Sequence, residues 1–319
     1  MNKIQAGKEW LICRAEHIVD RAKRIAIPFF DDVPLYDVAL FFWKGVSTGA
    51  ITTRASAIAF NFILAMFPAI IFLFTLIPYI PIDNFQEQLL DLIENLLPDN
   101  AFLAVRGTIE DIVTQPRGSL LSFGFFAAFF FATNGIVSVI GAFNQTIHTI
   151  ETRSWWNQHL VASMLAVIFT SMITIGVGVI TVSESVMHFL VRKDVLRVDF
   201  TYYLLVGGKW LVIIILFFFA FAFLFYFAPA RRMKFRFISA GGSLATALSV
   251  ILSIGFSFYI NQFGKYNTLY GSIGTLVVVM LWLYFNALVL LIGFELNVSI
   301  WKARSTNSTV LAPPEEGDY

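Results

Sequence analysis

Long apolar runs separated by short polar interruptions set the rhythm of this chain. Six of them, over about 55–80, 119–144, 160–183, 203–228, 238–260 and 273–298, are long enough to cross a bilayer, because a spanning helix needs ~20 predominantly apolar residues. Water is absent from the hydrocarbon, so backbone groups there must pair internally, and a helix does this within one segment. The pattern predicts an all-α fold, a polytopic membrane helix bundle with six transmembrane helices. A shorter run, VALFFWKGVSTG over 38–49, is too short to cross and reads as an interfacial helix feeding the first span. Further upstream, Trp10, Ile12 and Ala15 fall near one helix face and Lys8, Arg14, Arg21 and Lys23 towards the other. That amphipathic helix either lies on the membrane surface or is solvated. Between the first two spans, Phe85, Leu89, Leu90, Ile93, Leu96 and Leu97, then Phe102, Val105, Ile109, Ile112 and Val113, recur at helical spacing on either side of Pro98. They predict an outer helical hairpin over 82–117, serving as a lid or as a structural cap. The expected organisation is amphipathic helices over 1–52, the six-span domain over 53–301 and a disordered cytoplasmic tail over 302–319.

Composition supports the bilayer as solvent. Apolar residues make up 58% of the 319 and charged residues only 13%, against roughly 25% charged in a soluble domain. Mean hydropathy is +0.75. A net charge of +1 argues against a nucleic-acid partner. The single cysteine, Cys13, excludes an intrachain disulfide and a cysteine zinc cluster. Fifteen Lys and Arg residues fall on the side of the two termini and seven on the other, which predicts both termini in the cytoplasm. The densest basic stretch, APARRMKFRF, holds Arg231, Arg232, Lys234 and Arg236. It reads as a cytoplasmic loop able to meet anionic lipid headgroups.

Polar residues inside the spans are the candidate chemistry. Arg54 and Asn61 lie in the first span, Asn134 and Asn144 in the second, and Asn286, Glu295 and Asn297 in the sixth. They either line a substrate path or make interhelical hydrogen bonds, worth about 0.6 kcal/mol each on average. Pro68, in mid-span, is expected to free a carbonyl and kink its helix. Glu295 is expected to pair with Arg54, Arg231 or Arg232, since a carboxylate left alone at that depth takes a proton. The run FGKYNTLYGSIG over 263–274 interrupts two spans with Asn267, Tyr270, Gly271 and Gly274, and reads as a stiff turn. No catalytic residue, metal site or cofactor is expected. His17, His148, His159 and His188 lack ligand spacing, and no zinc or phosphate-loop motif occurs.

The stretches RASAIAFNFILAMFP (54–68), GAFNQTIHTIETRSWW, YFAPARRMKFRF and FSFYINQFGKYNTLYGSIGTLVVVMLWLYFNALVLLIGFELN resemble the YihY/virulence factor BrkB family of bacterial inner-membrane proteins. The likeness covers about 40–300, and the C-terminal block is its most specific part. It marks Arg54, Pro68, Asn144, Pro229, Tyr266, Asn267, Tyr270, Gly271, Gly274, Glu295 and Asn297 as motif positions. Asn61 departs from it, standing where an aromatic residue is expected. The resemblance implies a six-helix protein of the bacterial inner membrane. It brings no settled activity: the family has carried a ribonuclease label, and some members are linked with export of lipid precursors. The expectation is a transporter or flippase-like protein for an amphipathic or lipid-linked substrate, with membrane lipids as partners. The alternative is a non-transporting envelope scaffold.

Overall fold

A computed structural model describes residues 33–48, 50–79, 107, 111, 116–146, 149–150, 153–192, 198–230 and 238–311. A lead helix, Leu35–Thr48, ends at a tight corner where Ala50 takes a left-handed backbone (φ 47°). Six helices long and apolar enough to cross a membrane follow: Ile51–Tyr79, Gly118–Asn144, Trp155–Val182, Gly207–Phe227, Ala240–Ile260 and Leu276–Thr306. The apolar runs therefore placed all six spans. The first closes with a short 3-10 turn, Ile77–Tyr79, and its α-helix runs through Pro68, where the missing N–H leaves the Leu64 carbonyl without its helical donor. The fifth and sixth spans belong to one helical stretch, Ala240–Leu311, yet Gly241 lies against Gly293. A straight helix would hold these glycines about 78 Å apart at its 1.5 Å rise, so the stretch doubles back into two antiparallel limbs.

Neighbouring spans form three hairpins. In the first, Gly124 of the second span lets the backbone of Phe72 approach, and a methyl group there would sit 3.2 Å from Phe72 Cα. The Phe72 and Phe125 rings pack tilted beside it, 5.6 Å between centroids. In the second hairpin, Gly176 of the third span meets Leu216 of the fourth. In the third, Gly241, Ala245 and Gly293 form a small-residue crossing, the device by which helices approach closely where no hydrophobic effect drives them together. Phe256 and Trp282 continue that contact at 4.9 Å.

The three hairpins meet at one end of the bundle. There Ile58, Ile140, Phe143, Leu165, Phe225, Leu291 and Phe294 make one buried core. The lead helix docks on the same end, where Val33 and Val38 pack with Ala240, Ile300 and Ala303. A feature the hydropathy pattern does not predict follows the second span: Gln145–Thr146 pairs antiparallel with Thr149–Ile150, Thr146 opposite Thr149. The amphipathic segment before 33, most of the hairpin expected over 82–117, the tail beyond 311 and the basic residues Arg231, Arg232, Lys234 and Arg236 lie outside the described residues. So do the side chains of Asn267 and Tyr270 and the surroundings of Gly271, whereas Gly274 is buried.

Candidate functional site

Antiparallel hairpins bring six span ends to one face: the starts of the first, third and fifth and the ends of the second, fourth and sixth. Each end leaves backbone groups without helical partners, and polar side chains from neighbouring spans meet them. Arg54, one turn into the first span, donates from Nη1 to the carbonyl of Ala142, 2.8 Å away in the last turn of the second. Asn144 accepts the N–H of Ala230 at 2.9 Å. Arg153 donates from Nη1 to the carbonyl of Phe227 at 3.0 Å and from Nη2 to that of Pro229. Its charge thus sits at the negative end of the fourth-span dipole. The fifth span is capped by Ser239, whose Oγ accepts the Gly242 N–H at 3.1 Å. Asn297, across the hairpin, accepts the Gly241 N–H at 2.8 Å and donates to Ser239 Oγ at 2.9 Å.

The charged centre of this belt is Glu295. Only 1% of it is exposed. The Thr146 hydroxyl donates to its Oε2 at 2.9 Å. That bond depends on the two-residue ladder, which turns Thr146 inwards. Gly45 of the lead helix abuts the other oxygen, and any side chain at position 45 would overlap the carboxylate. Arg54 stands within the electrostatic reach of Glu295 and is itself only 7% exposed. A buried charge of one sign is tolerable here because a charge of the other sign is buried beside it. Among the described residues, Arg54 Nε and Nη2 find no hydrogen-bond partner, and neither does the buried Ser299 hydroxyl.

The belt collects Arg54, Asn144, Glu295 and Asn297. The other polar span residues stand apart. Asn61 donates to its own helix at Ala57 and, at 3.3 Å, to Ser138 of the second span. Asn286 bonds back to Trp282 within the sixth span, and Asn134 is half-buried beside buried Gly135. Thr146, Gly45 and Ser239 belong to the belt although none stands out in the sequence, and Arg153 stands out there only as a loop charge. A serine just ahead of an apolar run is still a cap signal, so Ser239 was within reach. Among the described residues, no three of His, Cys, Asp and Glu converge as a metal site.

Fold and belt together define a polytopic α-helical membrane protein whose span ends are knitted by buried polar side chains. The family described as virulence factor BrkB matches residues 42–317, and the chain belongs to it. It is similar to a ribonuclease-like protein, YfkH, of Bacillus subtilis (strain 168), with 28% identity over 269 residues, 84% of this chain and 94% of that protein. A UPF0761 membrane protein of Xanthomonas axonopodis pv. citri (strain 306) is 22% identical over 319 residues, 98% of this chain and 68% of its own length. One of Haemophilus influenzae (strain 86-028NP) is 24% identical over 271 residues, 83% and 95%. No solved structure matches.

Proposed function

We propose that this membrane protein moves an amphipathic or lipid-linked substrate whose head carries a phosphate or carboxylate, and that Arg54 receives that head. One observation carries the reading: a guanidinium 7% exposed whose Nε and Nη2 donors meet no acceptor among the described residues. Those two donors form one edge of the arginine fork, and their spacing suits two oxygens of a phosphate or carboxylate. Glu295 holds the charge balance while the seat is empty, and an arriving anion competes with it. A gradient or downhill flow drives the movement, because no nucleotide-binding motif occurs in the sequence. In this reading the belt faces the cytoplasm of a bacterial inner membrane, as the excess of Lys and Arg on that side indicates.

The test is lipid movement in vesicles reconstituted with the full chain, followed with a fluorescent phosphatidylglycerol. The wild type moves the probe. Arg54→Gln slows it about 10- to 100-fold, the worth of a charged hydrogen bond, and Arg54→Lys keeps part of the rate. Equal rates in wild type and Arg54→Gln sink the assignment. A scaffold reading has its own support, because Asn61, Asn144, Asn297 and Arg153 all hold neighbouring segments together. A wild type that moves no lipid leaves that reading ahead.

A further inference from the structure

Each hairpin contributes one ring to an aromatic triad just inside the belt. Phe143 of the second span stacks on Phe294 of the sixth at 3.9 Å between centroids. Phe225 of the fourth closes the triangle at 5.8 and 6.0 Å. Each ring is 1% exposed. Five helical turns take about 18 residues, so Phe125 and Leu276 repeat the azimuths of Phe143 and Phe294 further from the belt. There the same faces are open: Phe125 is 48% and Leu276 45% exposed. On the fourth span the triad face passes through Ile214 to Leu211, which is 59% exposed. No residue of 167–182, 207–221, 250–260 or 276–286 is buried. Those stretches cover every azimuth of their helices, so no face of these four spans is fully buried at that level; only the belt-side ends of the stretches, Phe169, Phe221, Leu252 and Tyr284, pack half-buried against the core. The contacts at that level described above, Gly124–Phe72, Gly176–Leu216 and Phe256–Trp282, all lie within a hairpin.

We infer that, away from the belt, the three hairpins part into an apolar cleft that binds the acyl chains of a membrane lipid, with the Phe143–Phe225–Phe294 triad as its floor. The lining is Phe125, Phe129, Leu211, Ile214, Leu276 and Met280. Walls of this kind give water no hydrogen-bond partners. The fluid outside spanning helices is hydrocarbon, so acyl chains fill the space. The inference rests on the transport reading and sharpens it: the tail occupies the cleft, and the triad separates it from the charged seat at Arg54.

The experiment places the full chain in nanodiscs of phosphatidylethanolamine and phosphatidylglycerol. The phosphatidylglycerol carries a photoactivatable diazirine at its acyl end, and adducts are mapped by mass spectrometry. Lipid held in the cleft labels Leu211, Ile214, Leu276 and Met280 severalfold more than Phe123 and Phe130, which lie on the opposite face of the second span. Leu211→Trp with Leu276→Trp fills the cleft and removes the adducts at Ile214 and Met280 while the melting temperature holds. Phe294→Ala opens the floor and carries adducts past it to Val298, which the intact floor keeps buried. Labelling at Phe123 and Phe130 equal to that at the four cleft positions overturns the inference, and so does labelling indifferent to the two tryptophans. Labelling requires no movement. A chain that captures tails yet scrambles no lipid overturns the transport reading and keeps the cleft, and a chain that scrambles lipid with labelling only on outward faces does the reverse.

Discussion

At Glu295, one carboxylate holds three elements in register. Thr146 reaches it from the second-span exit, Gly45 makes room for it in the lead helix, and Arg54 opposes its charge from the first span. Glu295→Gln leaves Arg54 buried without its counter-charge, which costs about 3–5 kcal/mol. Adding Arg54→Gln should return much of that loss. Denaturant unfolding in detergent reads both, and additive losses would show that the two charges do not communicate. Gly45→Ala places a methyl group on the carboxylate and should cost about 1–3 kcal/mol. In a Glu295→Ala background that penalty should largely vanish, and a penalty that persists there would move the role of Gly45 elsewhere.

At the scale of elements, the belt is an exchange of helix caps between hairpins. Asn297→Ala strips the Gly241 amide of its acceptor and should cost about 1 kcal/mol, as loss of a cap does. Gly293→Leu forces apart the crossing of the fifth and sixth spans, where Ala245 Cβ and the Gly241 carbonyl already stand 2.7 Å from a methyl group at Gly293. It should lower the melting temperature far more than the same change at Gly255, where a methyl group meets nothing within 4 Å. Equal effects would mean that the crossing is slack. The spans themselves were legible because hydrocarbon demands long apolar helices, a local property of sequence. Glu295 stood out for the same reason: a carboxylate inside an apolar run needs a partner. Its hydrogen-bond donor did not stand out, because Thr146 is turned inwards by a ladder two residues long that no periodicity can announce. Gly45 was equally silent, since the space it leaves matters only once the sixth span lies across it.

At the scale of the whole molecule, burial is uneven along the membrane normal. One end holds the common core, the caps and the charge pair. In the cleft inferred above, the spans beyond the aromatic triad keep only their hairpin partners. Hydropathy carries no trace of this, because a residue facing lipid and one facing an apolar cleft are chosen by the same solvent. The uneven packing also assigns mobility: the closed end should resist amide exchange longest and the parted halves should exchange first.

The claim that one end is shut and the other parted is tested most directly by pulsed electron resonance on a Cys13→Ser chain in lipid nanodiscs, with spin labels at Leu211 and Leu276. The account predicts a separation well beyond side-chain contact, narrowing to shorter distances when the triad rings Phe225 and Phe294 are both replaced by Ala and the hairpins are freed to close on one another. A single short distance in the unmutated bundle, matching side chains packed across a sealed interior, would contradict it.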